Sequence, residues 1–155
     1  MSRPVKYFWE DFKLEERVCM GSVSVELGEV LDFAKRFDPQ PFHVDVAQAK
    51  KSIYGDIIAS GWHTCSMVMR LMCDSYLLDS ASLGSPGIEE VRWPRPVYPG
   101  DTLTAYRTVI ETRPSSSRPD RGIVKTKWEV ENQDGELVMS MVGINFFLKR
   151  PEGSL

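Results

Sequence analysis

The chain has 155 residues, a formal net charge of -3 and 42% hydrophobic residues. That length and apolar content fit a single globular domain over residues 1–155 and exclude disordered or collagen-like architectures. The small acidic balance argues against a nucleic-acid partner bound through a broad basic surface, and no apolar run reaches the eighteen or so residues that would engage a membrane as a span.

At the N-terminus, charges interrupt the aromatics of Tyr7-Phe8-Trp9-Glu10-Asp11-Phe12, and no apolar stretch of a secretory signal is present. Residues 18–24 predict a strand. Val30, Phe33, Ala34 and Phe37 then fall at the i, i+3, i+4, i+7 spacing of one helix face, with Ser24 as candidate cap and Pro39 as the stop. The run Phe37-Asp38-Pro39-Gln40-Pro41-Phe42-His43-Val44-Asp45 carries two prolines and predicts a rigid extended loop. Asp45 is a candidate N-cap for a short helix over residues 46–51. Residues 62–78 predict a long helix, apolar nearly all round and therefore expected to be buried. Its Cys65 and Cys73, with Cys19, form no Cys-x-x-Cys pair. Zinc and disulfide frameworks are disfavoured, no metal is expected, and a reduced cytoplasmic setting follows.

The second half predicts strands at residues 88–93, 102–112, 123–131 and 137–148, rich in β-branched and aromatic residues. Pro99-Gly100-Asp101 and Asn132-Gln133-Asp134-Gly135 are turns, and residues 114–122 a long, mobile hairpin loop. Together these elements predict an α+β fold: an antiparallel meander with helices inserted early, curled around one long helix. So thin a domain leaves little room for a deep pocket within one chain, which predicts a symmetric dimer or higher homo-oligomer with shared sites.

There are two histidines. His43 lies five residues after Asp38 on the proline-stiffened segment, where a carboxylate and an imidazole can face one small volume, as acid–base catalysis requires. The alternative is a structural pair, with Asp38 capping a turn and His43 packed beside Phe42. Ser60-Gly61-Trp62 opens the long helix, where free N–H groups and a partial positive charge can polarise a carbonyl oxygen approaching over a glycine. Here too a structural reading stands beside it, with Ser60 as cap and Gly61 allowing tight packing. His63 reads as structural, and Arg70, Arg92, Arg95, Lys50 and Lys51 as solvated charges.

Asp38-x-Gln40-Pro41-x-His43, followed by Ile57-Ile58-Ala59-Ser60-Gly61 at the head of an apolar helix, resembles the MaoC-like dehydratases, which include the (R)-specific enoyl-CoA hydratases. Tyr54-Gly55-Asp56 and the later run from Val91 to Leu103, with its Pro-Gly-Asp turn, support the resemblance, which extends from about Phe12 to Lys149. It implies a hot-dog fold and reversible addition of water to a trans-2-enoyl thioester carried on coenzyme A or an acyl carrier protein. It implies that Asp38 and His43 hold a water between them as acid–base pair, and that the Gly61 N–H donates to the thioester carbonyl. Gln40, Ser60 and Trp62 are then substrate-side neighbours, with Trp62 able to close part of an acyl tunnel, and no cofactor beyond the coenzyme A thioester substrate is implied. Gln40 stands where the family has asparagine, Phe42 where it has a smaller aliphatic residue, and Met69 where some hydratases carry serine. Two other functions compete: a hot-dog acyl-CoA thioesterase, and a non-catalytic acyl-thioester-binding subunit. The intact Asp38, His43 and Gly61 favour the hydratase.

Overall fold

In the computed structural model, which describes residues 3–153, all five expected strands form and pair antiparallel. β1 (Arg17–Ser24), β2 (Gly87–Arg92), β3 (Thr102–Pro114), β4 (Arg121–Glu131) and β5 (Leu137–Leu148) make one sheet in the order β1-β3-β4-β5-β2. Only β3, β4 and β5 form the expected meander. β2 pairs with β5 at the far edge instead of forming a hairpin with β3. The connection explains why: Pro94, Pro96 and Pro99 cannot extend a ladder, and Ala59 donates its N–H to the Val97 carbonyl at 2.8 Å, tying the crossing segment to the region before the long helix. The expected loop at residues 114–122 is trimmed at its ends: Pro114 pairs with Gly122 in the ladder, and residues 115–120 form the loop.

The helices are α1 (Leu27–Phe37), α2 (Pro41–Val44), α3 (Val46–Lys51) and α4 (Gly61–Ser75). Asp45 caps α3 as expected, accepting the Gln48 N–H at 3.0 Å. Ser24 does not cap α1: it ends β1, and Glu26 occupies the cap without a side-chain bond. The proline-rich segment is not extended throughout. Pro41 takes the first position of α2, where its missing N–H is not needed and its fixed φ suits a helix.

α4 lies against the sheet. Met67, Val68 and Met72 join Leu103, Val109, Val124, Trp128, Val130 and Met139 in one core, the sheet residues coming from alternating positions that face one side. This is the hot-dog arrangement expected from the sequence. α4 stops at Ser75, short of the expected end, and a 3₁₀ turn follows at Leu77–Asp79. Nor is it buried all round: Trp62 is 61% and Met69 45% exposed, because a single sheet covers one helix face only.

Candidate active site

Proline chemistry places the carboxylate. α1 ends at Phe37 because Asp38 precedes a proline; its N–H still reaches the Ala34 carbonyl at 2.8 Å, but its backbone has left helical geometry. α2 then starts at Pro41 and turns the buried His43 back toward Asp38. The Ile58 N–H bonds the Phe42 carbonyl at 3.2 Å, holding α2 against the segment that enters α4.

Three side chains converge on the Asp38 carboxylate. Gln40 donates its amide N–H to Oδ1 at 2.8 Å, the Ser60 hydroxyl donates to Oδ2 at 2.7 Å, and His43 Nε2 lies 3.3 Å from Oδ2. Burial pushes the Asp38 pKa up, but the bonds from Ser60 and Gln40 and the charge of His43 outweigh it, so the group sits below the usual carboxylate range. His43 Nδ1 lies 2.7 Å from the Ile58 carbonyl. A carbonyl can only accept, so Nδ1 carries a proton, and this bond fixes the ring with Nε2 turned toward Asp38.

Asp38, Gln40 and His43 line a cavity of about 460 Å³ together with Tyr54, Gly61, Trp62 and Trp93. One chain lines a half-open, ligand-sized space, and its volume suits a small-molecule site. The first turn of α4 borders it, presenting the unpaired N–H groups of a helix start.

The sequence-selected residues come together, and two of them serve the Asp38 carboxylate. Ser60 is wholly buried, and its hydroxyl neither caps α4 nor faces a ligand: it serves Asp38. Gln40 lines the cavity and also anchors the carboxylate, so the longer amide retains an orienting bond. The pair also stands too close for a water in line between Oδ2 and Nε2; a bridging water would sit beside them, within reach of both. Gly61 is glycine for tight packing, the structural alternative its sequence context offered. A Cβ there would lie 2.5 Å from the Trp93 indole, which covers it.

Trp93 and the Ile58 carbonyl were the residues the sequence left unmarked. The only signal for Trp93 was the glycine itself, since a bare Cα at a helix start admits a large neighbour. Trp62, the expected tunnel residue, lines the cavity and meets Trp93 edge to face, ring centroids 5.3 Å apart. Among the described residues, no three His, Cys, Asp or Glu side chains group as a metal site.

Residues 14–132 match the family model described as MaoC like domain. The crystal structure of the MaoC-like dehydratase from Rhodospirillum rubrum superposes with a TM-score of 0.87 at 40% identity, covering 94% of this chain and 99% of that one. The 3-hydroxyacyl-thioester dehydratase Z of Mycobacterium tuberculosis is 30% identical over 95 residues, 61% of this chain and 63% of that protein. A shorter match, 45% identical over 56 residues, joins 36% of this chain to 16% of the mesaconyl-CoA hydratase of Cereibacter sphaeroides, so the chain matches only a small part of that relative. With an Asp–His pair on a cavity wall, this hot-dog fold and a family match over most of its length, the chain belongs to the MaoC-like domain family.

Proposed function

We propose that the protein is a hydratase/dehydratase that adds water reversibly across the double bond of a trans-2-enoyl thioester, giving the (R)-3-hydroxyacyl thioester. The observation that carries this is the Asp38–His43 contact at 3.3 Å on the wall of a cavity that the α4 N-terminus also borders. Hydration needs a group to take a proton from water, a group to protonate C2, and donors for the charge that grows on the thioester oxygen. Asp38, kept ionised by Ser60 and Gln40, accepts a hydrogen bond from a water lying beside Nε2. As the water oxygen bonds to C3, its proton passes to the Asp38–His43 pair and electron density moves through C2 to the thioester oxygen. The Gly61 N–H at the start of α4 is the proposed donor there, aided by the helix dipole. The pair then returns one proton to C2. One water is consumed and no redox step occurs, so the reaction runs on these protein groups without metal or organic cofactor. Dehydration is the same path reversed.

The family match and the dehydratase relatives support a carrier-bound acyl substrate, on coenzyme A or an acyl carrier protein. A homodimer joined through sheet edges completes the reading. β2 is an edge strand of the sheet, with its outer ladder groups left to pair with a second copy. Light scattering at assay concentration tests this, and an active monomer would refute it.

The functional test is a panel of trans-2-enoyl-CoA substrates followed by loss of the conjugated enoyl absorbance, with a thiol reagent in parallel. Hydration without thiol release is expected. Released thiol would replace this reading with a thioesterase, and tight binding without turnover would make the protein a binding subunit.

A further inference from the structure

Two cavities meet at one wall. The first holds Asp38 and His43 and measures about 460 Å³; the second measures about 450 Å³ and is lined by Phe33, Met69, Met72, Leu77 and Ile88 among others. Trp62 lines both. Trp93 lines the first, and Cys65, whose thiol also meets the Trp93 side chain, lines the second. The two indoles stand edge to face with centroids 5.3 Å apart.

Trp93 is 41% exposed, and its covered side is held at three points. Its ring lies flush on Gly61, where no Cβ could fit, with Trp62 at its edge and Cys65 beside it. An indole seated in that way does not swing aside without losing each of those contacts. We propose that the Trp62–Trp93 pair is the chain-length determinant of this enzyme: it closes the catalytic cavity behind the reacting carbons and restricts the acyl group to short chains. The second, apolar cavity lies beyond the wall, where a longer chain would run if the wall were absent. This rests on the hydratase reading for its chemistry, while the wall itself is a matter of shape.

A hydrophobic pocket discriminates about tenfold or more for each methylene it cannot place. Four extra carbons facing a fixed indole therefore exceed what the remaining contacts can offset.

The experiment compares trans-2-octenoyl-CoA with crotonyl-CoA as the ratio of their kcat/KM values, in wild type, Trp62→Ala and Trp93→Ala. Trp62 is 61% exposed, so its removal empties no core and the variant should fold, whereas Trp93→Ala opens the wall more fully. Wild type should favour the four-carbon substrate, and each variant should raise the octenoyl-to-crotonyl ratio by about tenfold or more. Calorimetric binding of saturated butyryl-CoA and octanoyl-CoA runs alongside and needs no turnover. Wild type should bind butyryl-CoA more tightly, with the preference lost or reversed in the variants. Equal binding of the two by wild type, or an unchanged preference in both variants, would overturn the wall. A length preference in binding without hydration of any enoyl-CoA would leave the wall standing and remove the hydratase reading.

Discussion

The two histidines of this chain are both buried, 4% and 6% exposed, and both belong to helices beside the same cavity region, yet they are chemically opposite. His43 has a partner on each ring nitrogen, the Ile58 carbonyl at 2.7 Å and the Asp38 carboxylate at 3.3 Å, and it faces the cavity. His63 stacks on Phe33 with centroids 4.9 Å apart and planes 12° from parallel, and its Nδ1 has no hydrogen-bond partner. Burial pushes the His63 pKa down, with Glu29 only partly opposing, so it is kept as a neutral aromatic surface. Burial alone thus says nothing about function. What separates the two rings is whether each nitrogen is given a task, and an acid–base role requires a fixed tautomer with one free face.

The largest effect should come from breaking the His43 side of that contrast. His43→Ala and Asp38→Asn should each slow hydration by about a hundredfold or more. Because both act on one water, the double variant should be little slower than the worse single one, and single-turnover rates measure this. Multiplying losses would mean independent roles. His43→Ala should also lower stability by about 1–3 kcal/mol, since the buried Ile58 carbonyl loses its donor.

Ser60→Ala comes next. It removes the 2.7 Å bond that opposes the burial of Asp38. With that bond gone, the carboxylate pKa must rise, so the acid limb of the kcat/KM profile should move to higher pH, with a rate loss of about tenfold or more. The linked stability has a definite sign. A carboxylate with a depressed folded-state pKa contributes stability above its unfolded value of about 3.9 and loses it as pH falls through the folded value, so the variant should show less of that acid loss. An unmoved acid limb would detach Ser60 from Asp38.

Gly61→Ala should act through packing. A methyl 2.5 Å from the Trp93 ring forces the indole away, and overpacking of this kind costs about 1–3 kcal/mol. Thermal unfolding should show the loss, and Trp93→Ala in the same chain should recover much of it. Without that recovery, the clash is not the reason for glycine.

Much of this is legible in the sequence, for physical reasons that can be named. Alternation in residues 123–131 and the β-branched run after Pro99 mark strands because the sheet has one buried face, and Pro39 marks the end of α1 because proline acts locally. The Asp38–His43 pair was readable because both lie on one short segment. The partners that give the pair its properties were not: Ser60 is 22 residues from Asp38 and Ile58 is 15 from His43, and nothing local ties them. The place of β2 at the sheet edge was hidden likewise, since strand order depends on where a proline-rich crossing docks.

The last variant tests the quiet histidine. His63→Phe keeps an aromatic ring on Phe33 and removes a nitrogen that has no partner, so at pH 7.5 it should change stability by less than about 1.5 kcal/mol and leave hydration close to wild type. Its effect lies in the pH dependence. Free histidine titrates near pH 6.5, and His63 titrates lower in the folded state, so the unfolded chain binds a proton first. The stability held by a neutral His63 is therefore complete above about pH 6.5 and drains away as pH falls through that value toward the folded pKa. Melting temperatures of wild type and variant, measured from pH 7.5 to 5, should diverge in the variant's favour on the acid side. Parallel curves would show that the ring is not held neutral by its surroundings. A variant that lost hydration at full stability would place His63 beside His43 in the mechanism and erase the contrast between them.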